Sequence, residues 1–255
     1  NLIFIKKAIF SNFKNNNING GAIYINKNRL NCTLTNCQFK NCAGKLGGAI
    51  YIKSANHNDP HSCSIYNALF TNCQAINGGA LYLRIGKTES HSISIEGCTF
   101  KINIAIENGG AIYGLSREKL AIQRCKFDNN EAGIKGSSIW CSVGQNDGTL
   151  NHKLILYRNS FIFTANEHNL VNVYIESSNI TGSQIPNSNV FIGLCSFSSK
   201  NDSFIDYKNI EVVEKGKFQS FNFTECNCIQ GSNDTVSINT DFDDSFLLYD
   251  CESID

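Results

Sequence analysis

The stretch GGAIYI at residues 20–25 returns as GGAIYI at 47–52, GGALYL at 78–83 and GGAIYG at 109–114. A phrase recurring about every thirty residues marks a repeat architecture, and a repeat has to be settled before any other reading of the chain. Outward from the glycines, a second phrase repeats as CTLTNCQF (32–39), CSIYNALF (63–70), ISIEGCTF (93–100), LAIQRCKF (120–127), LILYRNSF (154–161) and VFIGLCSF (190–197). Alignment on a recurrent Phe gives Phe13, Phe39, Phe70, Phe100, Phe127, Phe161, Phe197 and Phe223, spaced 26 to 36 residues apart. About eight units result.

Within each unit, apolar residues recur at i and i+2 and are mostly β-branched or aromatic, which is the signature of strands. Cys32/Leu34, Cys63/Ile65, Ile93/Ile95 and Leu120/Ile122 form inward pairs, and the next inward residue comes three positions later. An offset of one in a period of two flips the face unless the chain bends, so a bend is expected between Ile95 and Cys98 and at each equivalent place. Three short strands per unit cannot bury their apolar faces alone and must stack on the next unit. The expected fold is all-β: a single-stranded right-handed parallel β-helix of about eight coils, with loops of variable length at one corner. Period-two patterning excludes an α-solenoid, a leucine-rich repeat lacks its fixed Leu and Asn spacing, and a β-propeller is the remaining alternative.

The whole chain, 1–255, reads as one β-helix domain: regular repeats over 1–141, degenerate coils with longer loops over 142–230, and an acidic cap or tail over 231–255. No apolar run approaches the roughly 20 residues that span a bilayer. The chain holds no Met and opens mid-pattern on NLIFIKKAIF, which lacks a signal-peptide cleavage site, so it reads as a mature protein or a piece of a longer one. Net charge is zero, yet residues 1–58 carry eight Lys/Arg and no acid, whereas the last 38 residues carry eight Asp/Glu and no base. In a solenoid the ends lie at opposite poles. That charge split either favours head-to-tail self-association or simply caps each pole with solvated charge. Nucleic acid is not expected.

The glycine strand alternates. Ile23/Ile25, Ile50/Ile52, Leu81/Leu83 and Ile112 should face the core, leaving Tyr24, Tyr51, Tyr82, Tyr113, Trp140 and Tyr174 as a ladder on the outer face. Such a ladder either binds a sugar chain or partner protein or packs on itself to stabilise the sheet. The glycines read as corners, with no sequence for a phosphate cradle. Cysteines fall on shared rungs, Cys32 with Cys63, Cys42 with Cys73 and Cys98 with Cys125, close enough for disulfides between neighbouring coils. Buried free thiols acting as small apolar fillers are the other reading. The Cys spacings lack the paired Cys-x2-Cys of a zinc site, so neither metal nor other cofactor is expected. Five sequons, at Asn31, Asn179, Asn201, Asn222 and Asn233, become glycosylation acceptors if a eukaryote secretes the chain, although an Asn-rich sequence also produces them by accident.

Gly-Gly-Ala-Ile at 20–23, 47–50 and 109–112 and Gly-Gly-Ala-Leu at 78–81, with Phe-x-x-Asn at 13–16, 100–103 and 127–130, resemble the repeat pair of the polymorphic outer membrane proteins of chlamydiae. The pairing is also found in surface proteins of some protists, and here Cys42 and Cys73 replace Asn in the intervening units. The resemblance covers residues 10–141 and implies an extracellular or cell-surface β-helical stalk used in adhesion, without an active site. It does not extend to a membrane barrel of the kind those proteins carry at their C-terminus. The alternative is a carbohydrate-binding or carbohydrate-active protein, because pectate lyases share the fold. Asn239-Thr240-Asp241 and Asp243-Asp244 resemble motifs of the polygalacturonases, but the Gly-His-Gly and Arg-Ile-Lys partners are missing. His57, His61, His91, His152 and His168 pair with no nucleophile and read as loop residues. A non-enzymatic surface or secreted module for adhesion or protein/glycan interaction is therefore the expected function.

Overall fold

A computed structural model describes residues 2–26, 31–53, 62–85, 92–116, 119–143, 151–163, 171–177, 187–199, 208–213, 220–224, 226, 236–239 and 246–248. Together they form a right-handed parallel β-helix. Its strands stack in four sheets of nine, seven, five and eight strands, and every pairing is parallel and in register. One full coil runs through Asn31–Thr35, Gln38–Lys40, Ala43–Gly44 and Ile50–Lys53, one strand for each sheet in turn. Among the described residues no helix is long and apolar enough to cross a membrane.

The coil has four strands where three were expected. The additional element is the two-residue strand at Ala43–Gly44, Gln74–Ala75, Ile104–Ala105 and Glu131–Ala132, too short to show a period of its own. Among the described residues this third sheet has five strands, so a coil with all four strands is described five times rather than the eight expected. Within the segment expected as an acidic cap or tail, Val236–Asn239 and Phe246–Leu248 extend the fourth and first sheets.

Bends are made by residues in the left-handed region, at three corners. Lys7, Asn36, Asn67, Gly97, Arg124, Arg158 and Leu194 make the first, at φ of 56°, 55°, 50°, 64°, 52°, 53° and 51°. Gly97 stands where the sequence required a bend between Ile95 and Cys98. Asn12, Asn41, Asn72, Ile102 and Asn129 make the second corner, again with positive φ. Asn tolerates this conformation better than other chiral residues, and here it also forms a side-chain ladder: Asn41 Nδ2 donates to Asn12 Oδ1 at 3.1 Å and Asn72 Nδ2 to Asn41 Oδ1 at 2.8 Å. The third corner is the double glycine, where each member has its own reason. Gly109 has φ +66°, and a Cβ on Gly110 would lie 2.1 Å from the Ser137 carbonyl oxygen of the next coil.

Inside, like stacks on like. Phe39, Phe70, Phe100, Phe127 and Phe161 are fully buried, and their rings stack face to face at 4.8–5.0 Å. Two of the aligned phenylalanines fall elsewhere. Phe10, not Phe13, pairs with Phe39 and stacks on it at 4.9 Å, while Phe13 lies one corner later, opposite Cys42, and is 49 % exposed. Phe223 lies in the first sheet opposite Ile192 rather than below Phe197. Register follows the residue that the neighbouring coil can bury, and the spacing of Phe alone does not report it.

A β-branched side chain is the worst occupant of the left-handed region, and Ile102 has φ 54° there with 43 % of its surface exposed. Ile102→Asn should relieve that strain, extend the ladder onto Asn72 and raise unfolding stability by about 1–2 kcal/mol in a denaturant titration. In the same assay Gly110→Ala should lower it by about 3 kcal/mol, since its neighbour is backbone and cannot move aside.

Candidate functional site

The fourth sheet and the edge beside it gather the candidate residues. Parallel in-register pairing sets Tyr24, Tyr51, Tyr82, Tyr113, Trp140 and Tyr174 in one row. The row is as expected, but it is not an open face. Its rings stack on one another at 5.2, 5.2, 4.9, 4.3 and 6.3 Å, so each inner ring has both faces occupied by its neighbours. Tyr51, Tyr82, Trp140 and Tyr174 are buried, Tyr113 is half-buried, and only Tyr24, at the end of the row, is exposed, at 55 %. A sugar ring stacking on the ladder would need faces that the ladder uses itself. Lys135 adds a lid at one point, its Nζ 4.1 Å from the centre of the Tyr174 ring and 3.8 Å from Glu211 Oε2.

Two residues further along each strand runs a second outward row, Asn26, Lys53, Arg84, Leu115, Ser142 and Glu176. Its members stand at the end of the fourth strand, immediately before the chain crosses to the first sheet. Fourth strands end at Asn26, Lys53, Ile85, Ser116, Val143, Ser177, Val213 and Asn239, and first strands resume at Asn31, Ser62, Ser92, Lys119, Asn151, Asn187, Ser220 and Phe246. Because both sheets are in register, these ends line one edge of the rod. Every connection between them, two to nine residues long and different in sequence each time, leaves and re-enters there. This is the corner of variable loops anticipated from the repeat.

Burial holds the phenols of Tyr51, Tyr82 and Tyr113 above their ordinary pKa. For Tyr51 and Tyr113 neighbouring phenols add to the effect, with Glu176 and Glu107 adding at Tyr113, and Arg84 opposes it at all three. Tyr51, Tyr82 and Tyr113 thus form a neutral, proton-holding stretch of the row.

The ten described cysteines are free thiols, all buried. Cys32 and Cys63, Cys42 and Cys73, and Cys98 and Cys125 meet as pairs across adjacent coils, and Cys195 with Cys226 makes a fourth pair that the alignment missed once Phe223 had been placed one sheet too far on. At the corners the thiols also serve the backbone. Each single S–H is shared between a carbonyl of the preceding coil and one of its own: Cys42 Sγ with Phe10 at 3.7 Å and Lys40 at 3.5 Å, Cys73 with Phe39 at 3.8 Å and Thr71 at 3.6 Å, Cys98 with Ile65 at 3.5 Å and Glu96 at 3.4 Å, and Cys125 with Ile95 at 3.6 Å and Gln123 at 3.2 Å. Where Asn replaces Cys it does the same and more: Asn103 Nδ2 donates to the Phe70 carbonyl at 3.1 Å, while its Oδ1 accepts from the Cys73 N–H at 3.0 Å. Asn130 and Asn159 repeat the arrangement with Phe100 and Ile122. Phe-x-x-Asn is therefore a ring for the core followed by a corner side chain that satisfies the neighbouring coil, and Cys substitutes because its S–H reaches the same carbonyl. Cys141, alone on its rung, has its thiol pushed up to about 12 by burial.

Of the sequons, Asn31 is exposed at the start of its strand, and its Oδ1 accepts from Ser62 Oγ at 3.2 Å. Asn222 lies in the strand Ser220–Thr224, while Asn179, Asn201 and Asn233 lie outside the described residues. So do His57, His61, His91, His168, Thr240, Asp241, Asp243 and Asp244; His152 lies on the strand Asn151–Tyr157. Among the described residues no three His, Cys, Asp or Glu side chains converge. Compared with protein-family models, curated proteins and solved structures, the chain matches none.

A phenol that holds its proton more tightly when folded stabilises the fold below its unfolded pKa near 10.0 and loses that contribution as pH rises past it. Absorbance titration should show Tyr51, Tyr82 and Tyr113 ionising later in the folded protein than in the unfolded chain, with unfolding stability falling above about pH 10. The double variant Tyr82→Phe/Tyr113→Phe should flatten that fall. At the corner, Asn103→Leu leaves the Phe70 carbonyl and Cys73 N–H unmet and should cost about 3 kcal/mol, against about 1 kcal/mol for Asn103→Cys, which retains the donor.

Proposed function

We propose that this chain is a non-enzymatic β-helical repeat module, displayed on a surface or secreted, that works in adhesion or in protein or glycan interaction. One observation carries the reading: in-register stacking lines the ends of the fourth strands and the starts of the first strands along a single edge, and eight connections of two to nine residues, each different in sequence, issue from it. In solenoids, insertions gathered on one face commonly form the binding face. The recurrent positions are consumed by the fold. Phe, Ile and Ala fill the core, Gly makes a corner, and Asn and Cys satisfy neighbouring carbonyls, which leaves the variable edge as the place where one such rod differs from another.

The polymorphic-outer-membrane-protein-like repeat supports the same reading, now on Phe100–Asn103 and Phe127–Asn130 together with the four glycine strands. Residues 13–16 no longer count toward it, because Phe13 occupies a corner. Adhesion along the edge also suits a ladder whose ring faces are already engaged.

The full chain, screened on a glycan array and on a panel of extracellular protein domains, should bind through the edge. Replacing residues 54–61 and 86–91 by Gly-Ser linkers of the same length should lower affinity by about tenfold or more while unfolding stability is kept. Binding that survives both replacements but is lost in Tyr82→Ala/Tyr113→Ala would move the site to the ladder. Turnover of polygalacturonate that disappears in Asp241→Asn would replace the reading with an enzymatic one.

A further inference from the structure

Beyond residues 2–26, the exposed large apolar side chains among the described residues are Ile102, Ile106 and Ile134, at 43, 70 and 62 % exposure, and all three stand on the side of the rod formed by the third sheet. The register explains the grouping. Along the strand Ile104–Ala105, alternation turns Asn103 and Ala105 inward and Ile102, Ile104 and Ile106 outward. Gln74 pairs with Ile104, so Ile76 of the coil before stands beside Ile106; Glu131 pairs with Ile104 on the other side, and Ile134 follows it in the coil after. Five isoleucines from three successive coils thus form one aliphatic patch. Ile102 keeps its place in it against its own backbone: at the second corner, where Asn12, Asn41, Asn72 and Asn129 take the left-handed conformation, Ile102 takes it with a β-branched side chain at φ 54°. Strain retained at an exposed apolar residue points to a working surface, and a contiguous apolar patch points to a contact.

We infer that this patch is the contact of an antiparallel dimer of the chain, two rods lying side by side with their third sheets face to face. Charge selects a second copy as the occupant and fixes its direction. Lys45, exposed two residues beyond Ala43, lies one coil before Gln74 and Ile76, and Glu131 lies one coil after Ile104, so the two flank the isoleucines along the rod. Neither takes part in the described ion pairs Lys101–Asp128, Arg124–Glu96 and Lys135–Glu211. The nearby Glu107 carboxylate already accepts from Asn77 Nδ2 at 2.8 Å. The face therefore carries a cation on one flank, a carboxylate on the other and aliphatic surface between, which complements itself once one copy is turned end for end. A two-fold axis crossing the rod between the coils of Gln74 and Ile104 sets each Ile106 opposite the other copy's Ile76. It also sets Glu131 opposite Ala43, within reach of Lys45, whose aliphatic stem then lies on Ile134. Rods laid parallel would instead set Lys45 on Lys45 and Glu131 on Glu131. Such a contact is isologous and closes at two copies. The inference stands apart from the edge-binding role, since the variable connections issue between the fourth and first sheets and not from the third.

Sedimentation equilibrium of the full chain up to about 1 mM tests it, because a patch of five side chains is smaller than a standard interface and gives a weak dimer. The weight-average mass should climb from the monomer value of 28.2 kDa toward twice that value and stop there. Ile106→Lys/Ile134→Lys alters two exposed side chains and should keep the β-sheet circular dichroism and the unfolding midpoint, yet remain at the monomer mass. Ile102→Asn should raise unfolding stability and at the same time weaken the dimer about threefold. Lys45→Glu and Glu131→Lys should each weaken it about tenfold at low salt, and the double variant Lys45→Glu/Glu131→Lys should restore it. A parent chain that stays monomeric throughout overturns the inference. So does association that continues beyond two copies, and so does a folded Ile106→Lys/Ile134→Lys variant that dimerises as the parent does. Charge reversals that fail to restore each other in the double variant overturn the antiparallel arrangement.

Discussion

Each coil gives its backbone N–H and C=O groups to the coils above and below at the same positions, and the rest of the molecule follows from that. In-register parallel pairing sets every side chain about 4.8 Å from its own counterpart, so a position has to hold a residue that packs well against itself. Phenylalanine meets the condition by offset stacking, asparagine by passing one amide to the next, and the stacked tyrosines by shielding each other's faces. Tyr113 and Trp140, a heteropair, stack as closely as any like pair in the row, at 4.3 Å. The condition is planarity rather than identity.

Much of this was legible in the sequence because the condition writes itself as repetition. Inward pairs such as Ile93/Ile95, the bend at Gly97 and the glycine corner all showed as breaks or returns in a simple period. What escaped was whatever lacked a period. Ala43–Gly44 and its equivalents are two residues long and cannot display alternation, so the coil was read with one side too few. Phe13 and Phe223 carried the right letter at an acceptable spacing, and the strand register, Phe10 opposite Phe39 and Phe223 opposite Ile192, decides where they sit. The Cys195–Cys226 pair was hidden behind the second of these errors.

The outer ladder and the corner cysteines show how composition misleads about exposure. Alternation placed Tyr51 and Tyr82 on the outer face, where in-plane neighbours then bury them. Alternation fixes direction, whereas exposure depends on what stands beside and above, and in a stack each ring covers the next. The corner thiols read from spacing either as disulfide candidates or as buried free thiols. In the structure they act as hydrogen-bond donors to buried carbonyls, the same duty that Asn103 and Asn130 perform with a second bond added. Oxidising a corner pair would withdraw two donors from the backbone at once.

The first corner changes its occupants along the rod, from Lys7 in the first coil through Asn36, Asn67 and Gly97 to Arg124, Arg158 and Leu194, all in the left-handed conformation. Asn and Gly adopt it readily, while other chiral residues give up about 1–2 kcal/mol each. Stability in such a stack is a sum of coil terms and neighbour terms, with no shared centre that must fail all at once. The rod is therefore firmest in its Asn36, Asn67 and Gly97 coils and more compliant on either side of them. Under tension it would shed coils singly from those sides, yielding by stages as a damper does, while the asparagine-cornered coils hold their shape.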